Sequence, residues 1–383
     1  MKILFVTPFY PPDVGGISCH VSNVVEYVAE KHEVSVIAHA IEGKDLPDGK
    51  ISFSRVPFIS PPSYPYQTLR NLRVPVSLSP LMVALREEPD LVHVHGHHYP
   101  LTWLAATYAK RKGIPVVLTL HGMYALDPHT FGAKTFKEEI FNRSILAFLL
   151  RQTDSVIGLT HVVAEYASRY GKKHTRYYVI PNGVRMSDYD HRLHRKTDYR
   201  IKYGLPLERK IVIYRGRFTH IKGFMKALAA AERGLRATKK FYFLFVGAGP
   251  LRSAATELAD NFKDNVKVID WTPTEAVPEL YVASDIYLLS SMSEGLPITL
   301  LEAMAANLHV VTTNLPGVTD VLRGYPLKTI IEDFSPDGIW KAIRSVPEDD
   351  QKIELSAHSS RYIRTFDWRN VVNKIELVYQ ESS

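Results

Sequence analysis

Residues Asp285–Asn307 read DIYLLSSMSEGLPITLLEAMAAN. A short apolar run, DIYLLSS, passes through a turn at Gly295 into a stretch with helical composition. Pro297 stands where that helix should begin. Proline is favoured there because its missing N–H would be unpaired anyway. Asn307 closes the helix in the left-handed conformation that asparagine tolerates. Glu294 therefore lies in the loop, and Glu302 more than one turn inside the helix. The free N–H groups of Ile298 and Thr299 make an anion site carrying roughly half a positive charge. Together with Gly295 and Leu296, this loop and helix start are expected to hold a phosphate, while the two carboxylates accept hydrogen bonds from sugar hydroxyls. The alternative is a helix with two solvent-facing glutamates.

Outward from this unit, strand-like apolar runs alternate with helical patterns along the whole chain, the signature of parallel α/β architecture. KILFVTP, HEVSVIAH, LVHVH, IPVVLTL, SVIGLT and RYYVIP predict strands of a first half. KIVIYRG, FYFLFVGAG, NVKVID, DIYLLSS and LHVVTTN predict strands of a second. At 383 residues the chain is too long for one ordinary domain. The polar, basic stretch Arg185–Lys202 marks the boundary. The expected fold is α/β, with two facing Rossmann-like domains and a cleft between them. The first spans residues 1–185 and the second 186–366. A final amphipathic helix over 367–383, with Val371, Val372, Ile375, Leu377 and Val378 at helical spacing, is expected to pack back onto the first domain. Pro57–Pro75 holds five prolines beside Phe58, Tyr64 and Tyr66, and predicts an irregular loop.

Composition is that of a globular protein, 45% hydrophobic and 23% charged, with a net charge of +7. No run approaches the roughly 20 apolar residues of a membrane span. The start, MKILFVTPFYPP, reads as a strand and not as a signal peptide. With Cys19 the only cysteine, an intramolecular disulfide and a cysteine-based metal site are excluded. These features predict a cytoplasmic protein. Arg169–Lys202 carries ten Lys/Arg against three acids. That stretch reads either as a solvated surface or as a patch for a membrane or a phosphorylated substrate. No nucleic-acid motif accompanies it. His93, His95, His97 and His98 alternate in a way that suggests metal ligation. Without nearby carboxylates or cysteines they read as strand-edge histidines, and no metal is assigned.

The Glu294–seven residues–Glu302 spacing resembles the motif of retaining GT-B glycosyltransferases, particularly glycosyltransferase family 4. PPDVGGISCHV resembles that family's N-terminal glycine loop, LVHVHG and LTLHG its paired N-domain strands, and IPNGV its interdomain entrance. RGRFTHIKG is similar to its diphosphate-binding segment, and the terminal FDW with the following helix to its closing element. Asn307 stands where the family commonly has glycine, and Asp270-Trp271 replaces a glycine-containing pair. The resemblance implies that Arg217 and Lys222 grip the donor diphosphate. Physically, Arg offers bidentate contacts to phosphate oxygens and Lys a point charge.

Further roles follow from the same resemblance. Glu294, Gly295, Leu296, Ile298, Thr299 and Glu302 line the donor, and His121, ending a strand, lies beside the transferred sugar. Gly15 and Gly16 let backbone approach donor phosphate or acceptor, with a simple turn as the alternative. The first domain would take the acceptor and the second the nucleotide sugar. The expected activity is transfer of a hexose from a UDP- or GDP-sugar to a hydroxyl of a glycan or lipid-linked glycan. Retention, no cofactor and no metal are part of the same expectation; peripheral membrane contact stays open. Two rivals remain. One is a nucleotide-sugar epimerase on the same architecture. The other is an NAD-dependent oxidoreductase, suggested by Gly247, Gly249 and Asp270 but lacking the third glycine, since Arg252 takes its place.

Overall fold

In the computed structural model the described residues are 1–13, 15–39, 51–59, 73–123, 136–172, 174–270, 272–347 and 352–382. The chain forms two units: Met1–Asn182 with Trp368–Ser383, and Gly183–Asp367.

Unit 1 is built on β1 (Lys2–Thr7), β2 (Glu33–His39), β3 (Ser52–Val56), β6 (Leu91–His95), β7 (Val116–Leu120), β8 (Ser155–Gly158) and β9 (Arg176–Val179). They form one parallel sheet in the order β3-β2-β1-β6-β7-β8-β9. Along β1 successive side chains point to opposite faces. Leu4 and Val6 enter the apolar core on one side, and Ile3 and Phe5 that on the other. Because helices cover both faces, the strands read as near-continuous apolar runs. A separate two-residue ladder pairs β4 (Phe58–Ile59) antiparallel with β5 (Val74–Pro75). The expected irregular loop is thus pinned at both ends, while its middle, 60–72, lies outside the described residues.

Trp368–Ser382 is a helix packed on the β1 side of unit 1. Its Trp368, Val371, Val372, Ile375, Val378 and Tyr379 are buried with Ile3, Phe5 and Val21. Leu377, expected on the apolar stripe, is instead 57% exposed and Tyr379 takes the inward place. The buried positions span the arc from Val378 to Val372 around the helix, and Leu377, about 100° from Val378 on the side away from Tyr379, falls outside it.

Unit 2 carries β10 (Lys210–Arg215), β11 (Phe241–Val246), β12 (Val266–Ile269), β13 (Ile286–Leu289), β14 (His309–Thr313) and β15 (Lys328–Ile331). Their order is β12-β11-β10-β13-β14-β15, again all parallel. In each unit the chain fills one side of the sheet and then jumps back across its first strand. The switch points lie between β1 and β6, and between β10 and β13. In open α/β sheets ligands bind at the carboxyl ends of the strands at such points. The basic stretch before β10 is not wholly a solvated surface. Arg200 is buried, with Nη2 2.6 Å from Asp285 Oδ2, and Lys196 joins the same carboxylate.

Candidate active site

The site in unit 2 is assembled from two loops at one switch point. After β10 come Gly216, Arg217 and a short turn, His220–Lys222. After β13 comes the SEGLP loop and the helix Ile298–Ala305. The loops are stitched together. Met292 N donates to Ile221 O at 2.8 Å, and Ser290 Oγ to Lys222 O at 3.1 Å and Gly223 O at 3.3 Å. Gly223 has φ +63°, and a Cβ there would lie 1.8 Å from Ser290 O. Only glycine fits both the left-handed backbone and the close approach.

This stitching brings Lys222 Nζ to 2.6 Å from Glu294 Oε1, and Ser291 Oγ donates to the same oxygen at 2.6 Å. An ammonium has three donors, so two stay available to another ligand. Arg217, earlier in the same loop, is exposed. The helix starts one residue later than the sequence reading placed it. Pro297 is the extended N-cap and Ile298 the first helical residue. The shift leaves the Ile298 and Thr299 N–H groups at the helix start. The helix ends as expected. Asn307 has φ +55°, its N–H bonds to Met304 O, and Leu308 N–H bonds to Ala303 O. This is the paired closure of a left-handed cap.

Glu302 is not solvent-facing. Its Oε2 lies 2.6 Å from Arg215 Nη1, and Tyr281 OH approaches it at 3.4 Å. Tyr281 OH also donates to Thr299 O at 3.1 Å, and Tyr287 OH to Thr299 Oγ1 at 2.7 Å. Burial works against the Arg215 charge, but Glu302 and Tyr281 outweigh it and hold the guanidinium above its ordinary value. Arg215, Tyr281, Tyr287 and Ser291 were missed in the sequence. The one signal for Arg215 was a charge ending the apolar strand KIVIYR.

The structure therefore brings together Arg217, Lys222, Glu294, Gly295, Leu296, Ile298, Thr299 and Glu302 in unit 2. Gly15, Gly16 and His121 belong to unit 1. A Cβ on either glycine would meet nothing within 4 Å, and Gly15 is extended at φ 162°. Neither the chain's packing nor a turn conformation demands glycine there. The helix Gly16–Val28 that they open carries His20, whose ring centroid lies 4.8 Å from that of His121.

The alternating histidines are not at a strand edge, as expected, because β6 lies mid-sheet between β1 and β7. His93 is held at both ring nitrogens, by Tyr379 OH at 2.7 Å and Thr119 Oγ1 at 2.8 Å. Burial pushes His20 down to about 4 and holds His93, His95, His97 and His121 well below the usual imidazole range, so all are neutral at pH 7.

The dinucleotide-like FVGAGPLR has another use. A Cβ on Gly247 would lie 2.0 Å from Gly216 O, and one on Gly249 2.6 Å from Phe218 O. Asp270, the supposed ribose ligand, is paired with Arg252 at 2.9 Å. These glycines let β11 support the Arg217 loop from below.

Two parallel Rossmann-like sheets, each with a topological switch point, are the architecture of GT-B glycosyltransferases. Anabaena HepE, solved in complex with UDP, has the same fold, with TM-score 0.73 at 18% identity over 100% of both chains. The chain itself belongs to glycosyltransferase family 4. Residues 14–188 match the model of Glycosyltransferase Family 4, and residues 195–366 that of Glycosyl transferases group 1. A Bacillus subtilis protein designated a teichuronic acid biosynthesis glycosyltransferase is 31% identical over 67% of this chain and 60% of its own length. The phosphatidyl-myo-inositol mannosyltransferase of Mycolicibacterium smegmatis is 27% identical over 100% of this chain and 94% of its own. The protein is thus a glycosyltransferase, and neither the epimerase nor the oxidoreductase reading is favoured. Among the described residues no helix is long and apolar enough to cross a membrane.

Proposed function

We propose that this glycosyltransferase moves a hexose from a UDP- or GDP-sugar to a hydroxyl of a glycan or lipid-linked glycan, with retention and without a divalent cation. The observation that carries the reading is the convergence of Arg217, Lys222, Glu294 and the helix start at Ile298 on the carboxyl ends of β10 and β13. Arg217, Lys222 and half a helix charge sum to roughly +2.5, and the Glu294 carboxylate brings the net to roughly +1.5, facing a nucleoside diphosphate. Glu294 orients Lys222 and keeps a lone pair for a sugar hydroxyl. Glu302, fixed by Arg215, offers its second oxygen to a hydroxyl of the donor.

In the reaction the bond from the anomeric carbon to the diphosphate oxygen breaks, leaving an oxocarbenium-like sugar. The acceptor oxygen attacks on the same face, and its proton passes to the departing diphosphate. Catalysis rests on stabilising that leaving group and on positioning. Unit 2 takes the nucleotide sugar; unit 1 takes the acceptor and supplies His121 to the transferred sugar. The open space around Gly15 and Gly16 suits close approach of a ligand to their backbone. A lipid-linked acceptor is supported by the phosphatidyl-myo-inositol named in the M. smegmatis relative and by the net charge of +7. On this reading the enzyme works in the cytoplasm, peripherally at the inner membrane face.

The test is a hydrolysis screen of UDP-, GDP- and ADP-sugars, with release of nucleoside diphosphate as readout. Release from a UDP- or GDP-sugar with the hexose unchanged is expected. An epimerised sugar, or no release from any of these donors, would overturn the reading.

A further inference from the structure

We propose that Arg73 is a positioning residue for transfer: through Asp13 and the Pro8 carbonyl it fixes the loop that presents Gly15 and Gly16 to the donor. This role rests on the reading, given above, that a ligand closely approaches the backbone at those two glycines. Residues 8–13, PFYPPD, lead from the end of β1 toward the glycine pair. Three of the six are prolines, which have no N–H to donate, so the loop can do little to hold itself. Asp13 N does donate to Tyr10 O at 3.0 Å. Glycine is the most permissive residue at the backbone, so the pair that follows adds no stiffness.

The fixing comes from side chains. Arg73, immediately before β5, spreads its guanidinium over both ends of the loop. Nη1 donates to Pro8 O at 3.1 Å and to Asp13 Oδ2 at 3.0 Å, and Nη2 donates to Asp13 Oδ1 at 2.9 Å. The guanidinium carbon lies 4.5 Å from the ring centre of Phe9, in the loop, and 4.7 Å from that of Phe58, in β4. The Arg73 and Asp13 side chains are only 16% and 14% exposed, so solvent screens little of their pairing. Arg55, in β3, secures the middle of the loop, with Nη2 donating to Pro11 O at 2.8 Å and Nη1 to His39 O at 2.9 Å.

A two-pronged contact fixes the orientation of the Asp13 carboxylate as well as its place, and Asp13 stands two residues before Gly15. Precision of that kind matters at a reacting centre, where a misplacement of about 1 Å can cost about a hundredfold in rate. Arg73 and Asp13 belong to unit 1, whereas Arg217 and Lys222, which grip the diphosphate on the reading above, belong to unit 2. Arg73 therefore governs how fast bound donor reacts, and not how tightly the nucleotide is held.

The test uses the full chain and the UDP- or GDP-sugar from which it releases nucleoside diphosphate. Arg73→Ala and Asp13→Asn should each lower kcat for that release about 10- to 100-fold. Affinity for UDP or GDP, measured by calorimetry, should change by less than about twofold. The double variant should be no slower than the worse single one, because the two side chains act as a unit. Guanidinium ion in the tens of millimolar should raise kcat of Arg73→Ala by about threefold or more, and ammonium ion should not, since only the planar fork matches the carboxylate. Arg169→Met, which breaks an exposed pair with Glu165 elsewhere in unit 1, should alter neither quantity. An unchanged kcat in both Arg73→Ala and Asp13→Asn would overturn the proposal, and so would equal losses of kcat and nucleotide affinity, the mark of general damage to the fold. No release from the unaltered chain would instead defeat the reading of the donor site, and the role of Arg73 would fall with it. Asp13→Asn keeps the size and shape of the side chain, so it decides the matter should Arg73→Ala fail to fold.

Discussion

Arg215 Nη1 lies 2.6 Å from Glu302 Oε2, and the two side chains are only 14% and 16% exposed. The glutamate that the motif spacing singled out is therefore held by a partner eighty-seven residues earlier in the chain. Removing one member of such a pair leaves an uncompensated charge, whereas removing both does not. Arg215→Met should destabilise unit 2 by about 3 kcal/mol. Glu302→Gln in the same chain should return most of that loss. Urea unfolding of the single and double variants measures the difference, and additive losses would show that the pair does not act as a unit.

Arg217→Ala and Lys222→Ala should weaken nucleotide-sugar binding and nearly abolish transfer while leaving the fold intact. A charge-assisted hydrogen bond contributes about 1.5–3 kcal/mol, so affinity should fall at least tenfold per contact. Lys222→Ala carries a further effect, because Glu294 loses the cation 2.6 Å away. Calorimetry with the donor decides the point, and unchanged affinity in both variants removes these residues from the clamp.

Transfer should proceed without Mg²⁺ or Mn²⁺. The one Asp-x-Asp spacing near the unit boundary, Asp188 and Asp190, lies on the short helix Ser187–Asp190. Asp190 is already paired with Arg364 at 2.6 Å. Asp188→Ala and Asp190→Ala should keep most activity, and saturating EDTA should leave the rate within about a factor of three. A hundred-fold loss, about 2.7 kcal/mol, that Mg²⁺ or Mn²⁺ reverses would defeat the metal-free reading.

Deleting the residues after Trp368 should destabilise unit 1 by several kcal/mol, since Val371, Val372, Ile375, Val378 and Tyr379 are all at most 3% exposed. It also removes the Tyr379 hydroxyl from His93 Nδ1. A truncated protein with native melting temperature would make the helix dispensable.

Acid should weaken unit 1 through His39. Burial first, and Arg73 second, push this imidazole down to about 4. In the unfolded chain it takes up a proton near 6.5, but in the folded chain only near 4, so the unfolded state binds more protons between those values. Stability is therefore complete above pH 6.5 and falls as pH drops toward 4, by up to about 3 kcal/mol. His39→Leu should remove one histidine's share of that slope in denaturation curves recorded from pH 7 to 4, the buried His20, His93, His95, His97 and His121 contributing the rest. An unchanged slope would assign the acid sensitivity elsewhere.

Eleven strands of the two large sheets were readable as apolar runs because helices cover both faces of each sheet. The two that escaped, β3 and β15, are both edge strands. Each has a single neighbour and a half-exposed pattern, Ser52–Val56 and Lys328–Ile331, so neither shows the continuous apolar run of an inner strand. The histidines of β6 were misplaced for a related reason: periodicity along a strand carries no information about its rank in the sheet. Arg215 and His20 were illegible because each gains its meaning from partners, Glu302 and His121, that are about a hundred residues or less away in sequence but in contact only after folding. The loop that carries Glu294 was legible because its strand, turn and helix are contiguous.

The return of the chain to unit 1 at Trp368 has a consequence for biosynthesis. A ribosome delivers the seven strands of the first sheet early, yet the helix that covers Ile3, Phe5 and Val21 emerges only after unit 2. The whole of unit 2 is translated in between, which takes roughly 10 to 40 s at ordinary elongation rates. During that interval unit 2 can complete its own core, while the older part of the nascent chain carries an uncovered apolar face. The unit begun first is completed only after unit 2, and it is the natural client for a chaperone until the Trp368–Ser382 helix has left the ribosome.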